Sequence, residues 1–149
     1  MNTTNQNSLR LLTKSILNRL ENQKYIVFNP IQRTNLTDEL FNMFSKHILT
    51  NSDLVETARK KVSEHSEEIS EHQIAESEAF KNQKKALLSE YGEHELHGFY
   101  FKSSLKDLSQ KVCKFLFDSS LVEDVFESDE DIQKLVVETI QGFNESNIA

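Results

Sequence analysis

The chain is poor in the residues that punctuate a fold. Three glycines and one proline in 149 residues signal few tight turns, which favours helices joined by short polar connections. Tryptophan is absent, and the aromatic content comes mostly from ten phenylalanines. A single cysteine, Cys113, excludes an internal disulfide. No apolar run approaches the roughly 20 residues that cross a bilayer. The opening residues 1–7 are polar and uncharged, with no apolar signal core. These absences lead to the expectation of a cytoplasmic protein. There is no Gly-rich phosphate loop, HEXXH pair, GxSxG-type elbow or cysteine cluster, and a nucleophile needs an adjacent base and an orienting group. The expectation is therefore a non-enzyme without a cofactor.

What is present is a repeat. Residues 105–140 carry two amphipathic helix patterns around an acidic centre, residues 119–126. Shifted back by 96 residues, the apolar skeleton recurs without a gap: Leu9 with Leu105, Leu12 with Leu108, Ile16 with Val112, Leu20 with Leu116, Ile26 with Val122, Leu36 with Ile132, Leu40 with Val136 and Phe44 with Ile140. The spacing predicts helices over 9–22, 36–49 and 105–117, and a last one running to about Gln141. Ser8, Asn35 with Asp38, Ser104 with Asp107 and Ser128 with Asp131 read as N-terminal caps. Residues 25–28 and 121–126 hold equivalent places and are rich in strand formers. Pairing them as a tiny two-stranded ribbon would satisfy their backbone groups.

The expected fold is all-α, one domain over 8–142, made of two pseudo-repeated helical hairpins (9–48 and 105–142) bridged by residues 52–103. Residues 1–7 and 143–149 are expected as tails. Between Leu54 and Tyr91 there is neither glycine nor proline. One unbroken helix there would be about 57 Å long, more than the ~38 Å diameter of a compact domain of this size. The scarcity of apolar residues in 64–72 places a kink or loop there. Gly92 is suited to end the following helix, and Phe99, Tyr100 and Phe101 are expected to tuck against the core.

Two stretches carry a resemblance. One is Glu56-Thr57-Ala58-Arg59-Lys60-Lys61-Val62. The more specific one is Ser119-Ser120-Leu121-Val122-Glu123-Asp124-Val125-Phe126-Glu127-Ser128-Asp129. With Ile16-Leu17 and Ala86-Leu87-Leu88-Ser89-Glu90-Tyr91-Gly92, they make the chain resemble a bacterial family known as domain of unknown function 507, over about residues 9–140. Members of that family continue the second element with a leucine and a basic cluster. Here the matching positions read Ile132-Gln133-Lys134-Leu135, so the cluster is thinned to Lys134. The resemblance implies a small helical bacterial protein and no particular reaction.

The net charge of −7 is unevenly spread: +3 over 1–50, −3 over 51–91, −1 over 92–103 and −6 over 104–149. The two repeat units are of opposite sign, and the acidic total argues against general nucleic-acid binding, which rests on phosphate neutralisation. Four constellations can be weighed. Val122, Glu123, Asp124, Phe126 and Asp129 form an acidic-aromatic element in which Phe126 is either a core plug or an exposed anchor for an unidentified protein partner. Arg59, Lys60, Lys61, Lys81, Lys84 and Lys85 would form one basic patch if the middle segment folds back, suited to RNA or a ribosome, although no aromatic interleaves with the runs to stack bases. His65 with His72, and His94 with His97, lie among glutamates and could converge on a metal, but a solvated charged face explains them as well. Cys113 reads as a small buried residue. A homodimer through the middle helix is a further expectation.

Overall fold

The computed structural model describes residues 4–65, 75–90 and 94–144. Leu9, Leu12, Ile16 and Leu20 repeat at helical spacing, and helix α1 (Gln6–Asn22) buries all four. The other helices bury equivalent stripes: α2 (Arg33–His47) buries Leu36, Leu40 and Phe44, α5 (Leu105–Asp118) buries Leu108, Val112 and Leu116, and α6 (Asp129–Gln141) buries Ile132, Val136 and Ile140. In the eight repeat pairs both partners are buried, save Leu105 and Val122, which are half-buried.

α1 packs on α2 and α5 on α6, and the hairpins exchange contacts, α1 with α6 and α2 with α5. The expected ribbon exists. β1 (Ile26–Phe28) pairs antiparallel with β5 (Val122–Val125), with Phe28 opposite Val122, Val27 opposite Asp124 and Ile26 opposite Val125, across a bulge between Val27 and Phe28. Since Val122 is the repeat counterpart of Ile26, each unit contributes the same strand to the pairing.

The bridge between the units departs from the expected broken helix followed by an irregular connector. α2 stops at His47, and Ile48 leaves the helix for strand β2 (Ile48–Thr50), so the helix expected to reach Leu49 is two residues shorter. β2 pairs with β4 (Phe99–Phe101), which also pairs with β3 (His94–Leu96), giving a second sheet of order β2-β4-β3. The hairpin turn uses His97 and Gly98, both at positive φ (58° and 84°), the backbone that matches the twist of adjoining strands. Alternation along β4 buries Phe99 and Phe101 and leaves Tyr100 half-buried. α3 (Asn51–Glu64) and α4 (Glu76–Glu90) pack as a pair over a small cluster of Leu54, Ala58 and Leu87. The expected kink at 64–72 and the Gly92 stop lie mainly outside the described residues.

Several end signals are corrected. Asn5, not Ser8, caps α1; Ser8 is the reciprocal partner of the capping box. Asn35 caps nothing: α2 grows from a 3₁₀ turn (Pro30–Gln32), whose cap is Asn29, and Gln32 at the helix start makes no side-chain cap bond. Lys24 takes the left-handed place (φ 62°) after α1, where Tyr25 N–H donates to the Leu20 carbonyl at 2.9 Å. Residues 4–7 and Phe143 belong to the fold rather than to tails. Thr4 is buried and donates to the His97 carbonyl at 2.8 Å, and Phe143 is 8% exposed.

Ser104 and Ser128 are the caps foreseen, accepting from Asp107 N–H at 3.1 Å and Asp131 N–H at 3.3 Å. Ser104→Ala and Ser128→Ala should each cost about 1 kcal/mol, read as a fall in urea midpoint. A neutral result for both would mean that these amides find water at no cost.

Candidate functional site

The ribbon presents an apolar outer surface. Ile26 and Phe28 face the core, whereas Val27 is 41% exposed. The Phe126 N–H donates to the Tyr25 carbonyl at 2.8 Å, extending the pairing by one bond. Strand alternation then places Asp124 and Phe126 on the face that carries Val27 and Tyr25. Phe126 is 61% exposed, and Ile31, on the 3₁₀ turn that follows β1, is 83% exposed. Of the two roles open to Phe126, the core plug is excluded by this exposure.

The acidic residues around it do not all reach outward. The Asp124 carboxylate accepts from Val125 N–H at 2.8 Å, and the Glu127 carboxylate accepts from Ser128 N–H at 3.0 Å. The Asp124 carboxylate, turned onto an amide of β5 itself, blunts the strand's edge, whereas Glu127 bonds the residue that caps α6. Glu123 is exposed, Val122 half-buried, and Asp129 exposed in the first turn of α6, beside Glu130 and Asp131. There they favour the positive end of the helix dipole.

A groove of about 620 Å³ runs between α2 and α5, ending at Ser119 and Ser120 where the chain enters β5. Met43 and Phe115 supply its apolar lining, and Lys111, Lys114, Glu39 and Asp118 its charges. Its repeat counterpart, the α1–α6 junction, is bridged: Arg19 donates to the Thr139 hydroxyl at 2.9 Å. The positions equivalent to Arg19 and Thr139 are Phe115 and Met43. Loss of that polar bridge accompanies the groove, which sequence reading missed, although the Arg19–Phe115 and Thr139–Met43 mismatches in the repeat were its visible signal.

The basic residues are only partly gathered. α3 and α4 run antiparallel, so that Arg59 and Lys84 both reach the ring of Phe80, at 6.0 and 5.6 Å from its centroid. An aromatic therefore does sit between the two runs, contrary to the sequence reading. Lys60 and Lys85 are exposed, and at 100° per residue they turn away from the helix seam. Lys61 is half-buried and Lys81 exposed.

The histidines do different jobs. The His97 ring Nε2 lies 2.7 Å from the Gln141 carbonyl, holding the hairpin turn against the end of α6. His65 follows the last turn of α3 and is exposed. His72 and the side chain of His94 lie outside the described residues. Among the described residues no group of three His, Cys, Asp or Glu side chains is placed to hold a metal. Burial, followed by the cations Lys111, Lys102 and Lys46, lowers the pKa of His47. Cys113 is buried, as expected. Desolvation, then the nearby Asp129 carboxylate, pushes its thiol up to about 11, which leaves it protonated and unreactive at neutral pH.

No helix among the described residues is long and apolar enough to cross a membrane. The fold defines a small, mostly helical protein of two pseudo-equivalent hairpins joined through a ribbon, with a helical and stranded bridge. The family model described as Protein of unknown function (DUF507) matches residues 4–148, and the chain belongs to that family. Neither the curated proteins nor the solved structures contain a match.

Proposed function

We propose that this chain is a non-enzymatic, cytoplasmic interaction module that docks a protein partner through residues 121–127. The observation that carries the reading is the exposure of Phe126 together with Val27 and Ile31 on and beside a ribbon anchored in both repeat units. Aromatic anchors on rigid elements carry much of the energy of an interface, and clustered exposed apolar side chains mark such surfaces. Val122, Glu123, Asp124 and Asp129 supply its half-buried edge and acidic rim.

The test is capture of partners by the tagged protein from bacterial lysate, read by mass spectrometry against Phe126→Ala and Asp124→Lys. A nuclease-resistant partner lost at least tenfold by Phe126→Ala, with the urea midpoint unchanged, is the expected result. Equal capture by wild type and both variants places the docking surface elsewhere.

A second reading is favoured by one specific contact, Phe80 between Arg59 and Lys84: an aromatic flanked by cations can stack a base and hold its phosphate. On this reading the protein is an RNA- or ribosome-associated factor. Binding should then weaken steeply with salt and fall with Phe80→Ala; a flat salt response rejects it.

A further inference from the structure

We infer that the cleft between α1 and α2 is a binding site for a small phosphate monoester. The cleft has a volume of about 330 Å³ and is lined by Arg10, Lys14, Asn18, Arg33, Thr34 and Thr37. That volume is at the lower end of the ~300–1,000 Å³ of small-molecule pockets, and every lining side chain but Thr37, whose hydroxyl donates to the Arg33 carbonyl at 2.8 Å, can offer a hydrogen-bond donor to a ligand.

Arg10, Lys14 and Asn18 come from one stripe of α1, and the other three from the first turns of α2. The two guanidiniums are held in place. Arg10 bonds the Asp38 carboxylate at 2.7 Å and lies 4.4 Å from the Phe41 ring centroid. Arg33 pairs with Glu21, bonds the Asn18 side-chain oxygen at 3.0 Å and lies 5.0 Å from the Phe28 ring centroid. Arg33 therefore orients Asn18 through its oxygen, leaving the amide –NH₂ as a donor. Lys14 is exposed and has no carboxylate partner among the described residues. A phosphate monoester, with three acceptor oxygens and close to two negative charges at neutral pH, satisfies such a set; a planar guanidinium fork matches its geometry.

The repeat provides a comparison inside the same molecule. The positions equivalent to Arg33 and Thr34 are Asp129 and Glu130, which begin α6 with the acidic residues that a helix start favours. α2 begins with Arg33 and Thr34 instead, has no acidic residue in its first turn and lacks a side-chain cap. The first unit thus places a cation where the helix dipole disfavours one, and opens a donor-lined cleft at the same place. Glu21 offsets part of the Arg33 charge, and a bound anion adds to that while engaging the donors of the cleft. Locally unfavourable choices of this kind concentrate at functional sites.

The experiment is an amide NMR titration of the full chain with ribose 5-phosphate at low ionic strength, with ribose as the control. Saturable shifts confined to residues 10–18 and 33–37, absent with ribose, are expected. Lys14→Glu should weaken binding at least tenfold. Thr34→Glu, which copies the acidic start of α6, should abolish binding while leaving the thermal midpoint unchanged or raised, so loss of binding cannot be ascribed to unfolding. The proposal is overturned if ribose 5-phosphate produces no saturable shifts at millimolar concentration, or if Thr34→Glu binds as the wild type does. Shifts at these residues with single-stranded RNA but not with ribose 5-phosphate overturn it in favour of a nucleic-acid backbone.

Discussion

Replacing Phe99 by alanine should remove about 3–5 kcal/mol of folding stability, the usual range for truncating a buried aromatic. Against the roughly 5–15 kcal/mol that holds a domain of this kind together, such a loss leaves a marginal fold. The ring is fully buried. It lies 6.5 Å from the Phe101 ring at 60° and 5.5 Å from the Phe143 ring at 54°, tilted geometries that add to simple burial. Phe99 also belongs to the central strand of the β2-β4-β3 sheet, opposite Thr50 and Leu96. An empty Phe99 site thus removes packing from the bridge and from Phe143 at the end of the second unit together. Urea unfolding of the variant should show the midpoint fall with little change of slope. Tyr100→Ala, on the other face of the same strand and half-buried, is the control and should cost markedly less. Equal losses for the two variants would mean that the strand, not the ring cluster, sets the stability.

A second large effect is expected in alkali. The Cys113 thiol is raised from 9.0 to about 11 in the fold, chiefly by burial and then by the Asp129 carboxylate; its S–H faces the Asp129 backbone carbonyl at 3.6 Å. Unfolding frees the thiol to ionise at its ordinary value, so the folded state holds its proton more tightly. That preference stabilises the protein fully below pH 9.0 and drains away as pH rises through about 11. At about 1.36 kcal/mol per pKa unit, the loss approaches roughly 2–3 kcal/mol. Tyrosines and lysines also titrate there, so the quantity to follow is the stability difference between wild type and Cys113→Ala. It should shrink by that amount across the window. Parallel curves would mean a thiolate that water reaches in the folded state.

The helical hairpins were legible because their apolar residues repeat at one period and repeat again 96 residues later; Leu12, Leu108, Leu40 and Val136 are all buried where that pattern put them. The ribbon was legible from strand formers at equivalent places with otherwise unpaired amides. The second sheet was not. β2 occupies what reads as the last turn of α2, and Ile48 fits either element because it is buried in both readings. The partner that draws it out of the helix, Phe101, is 53 positions away in sequence, a distance at which local pattern is silent. The turn at His97 and Gly98 was missed because a non-glycine residue at positive φ is uncommon, so His97 beside the single Gly98 did not read as a two-residue hairpin turn.

The candidate site was half legible. The residues around Phe126 stood out by composition, but whether the ring points in or out depends on the pairing register with Tyr25, which composition does not carry. The basic runs looked equivalent on paper; helical rotation separates Lys60 and Lys85 from Arg59 and Lys84. The donor-lined cleft draws on residues from two helices whose crossing only the fold reveals.

The register of the ribbon has an architectural consequence. Phe28 pairs with Val122, and Val122 stands where Ile26 stands in the other unit, so the strand is nearly its own complement. A half-length chain carrying one unit would meet a second copy of itself across the same two-fold, as isologous contacts do. Joining the halves turns that concentration-dependent association into an intramolecular one. It also releases them from identity. In a true homodimer a basic cleft or an open groove must appear twice, whereas a dimer made covalent can keep its cations in one half, its carboxylates in the other, and a groove on one side alone.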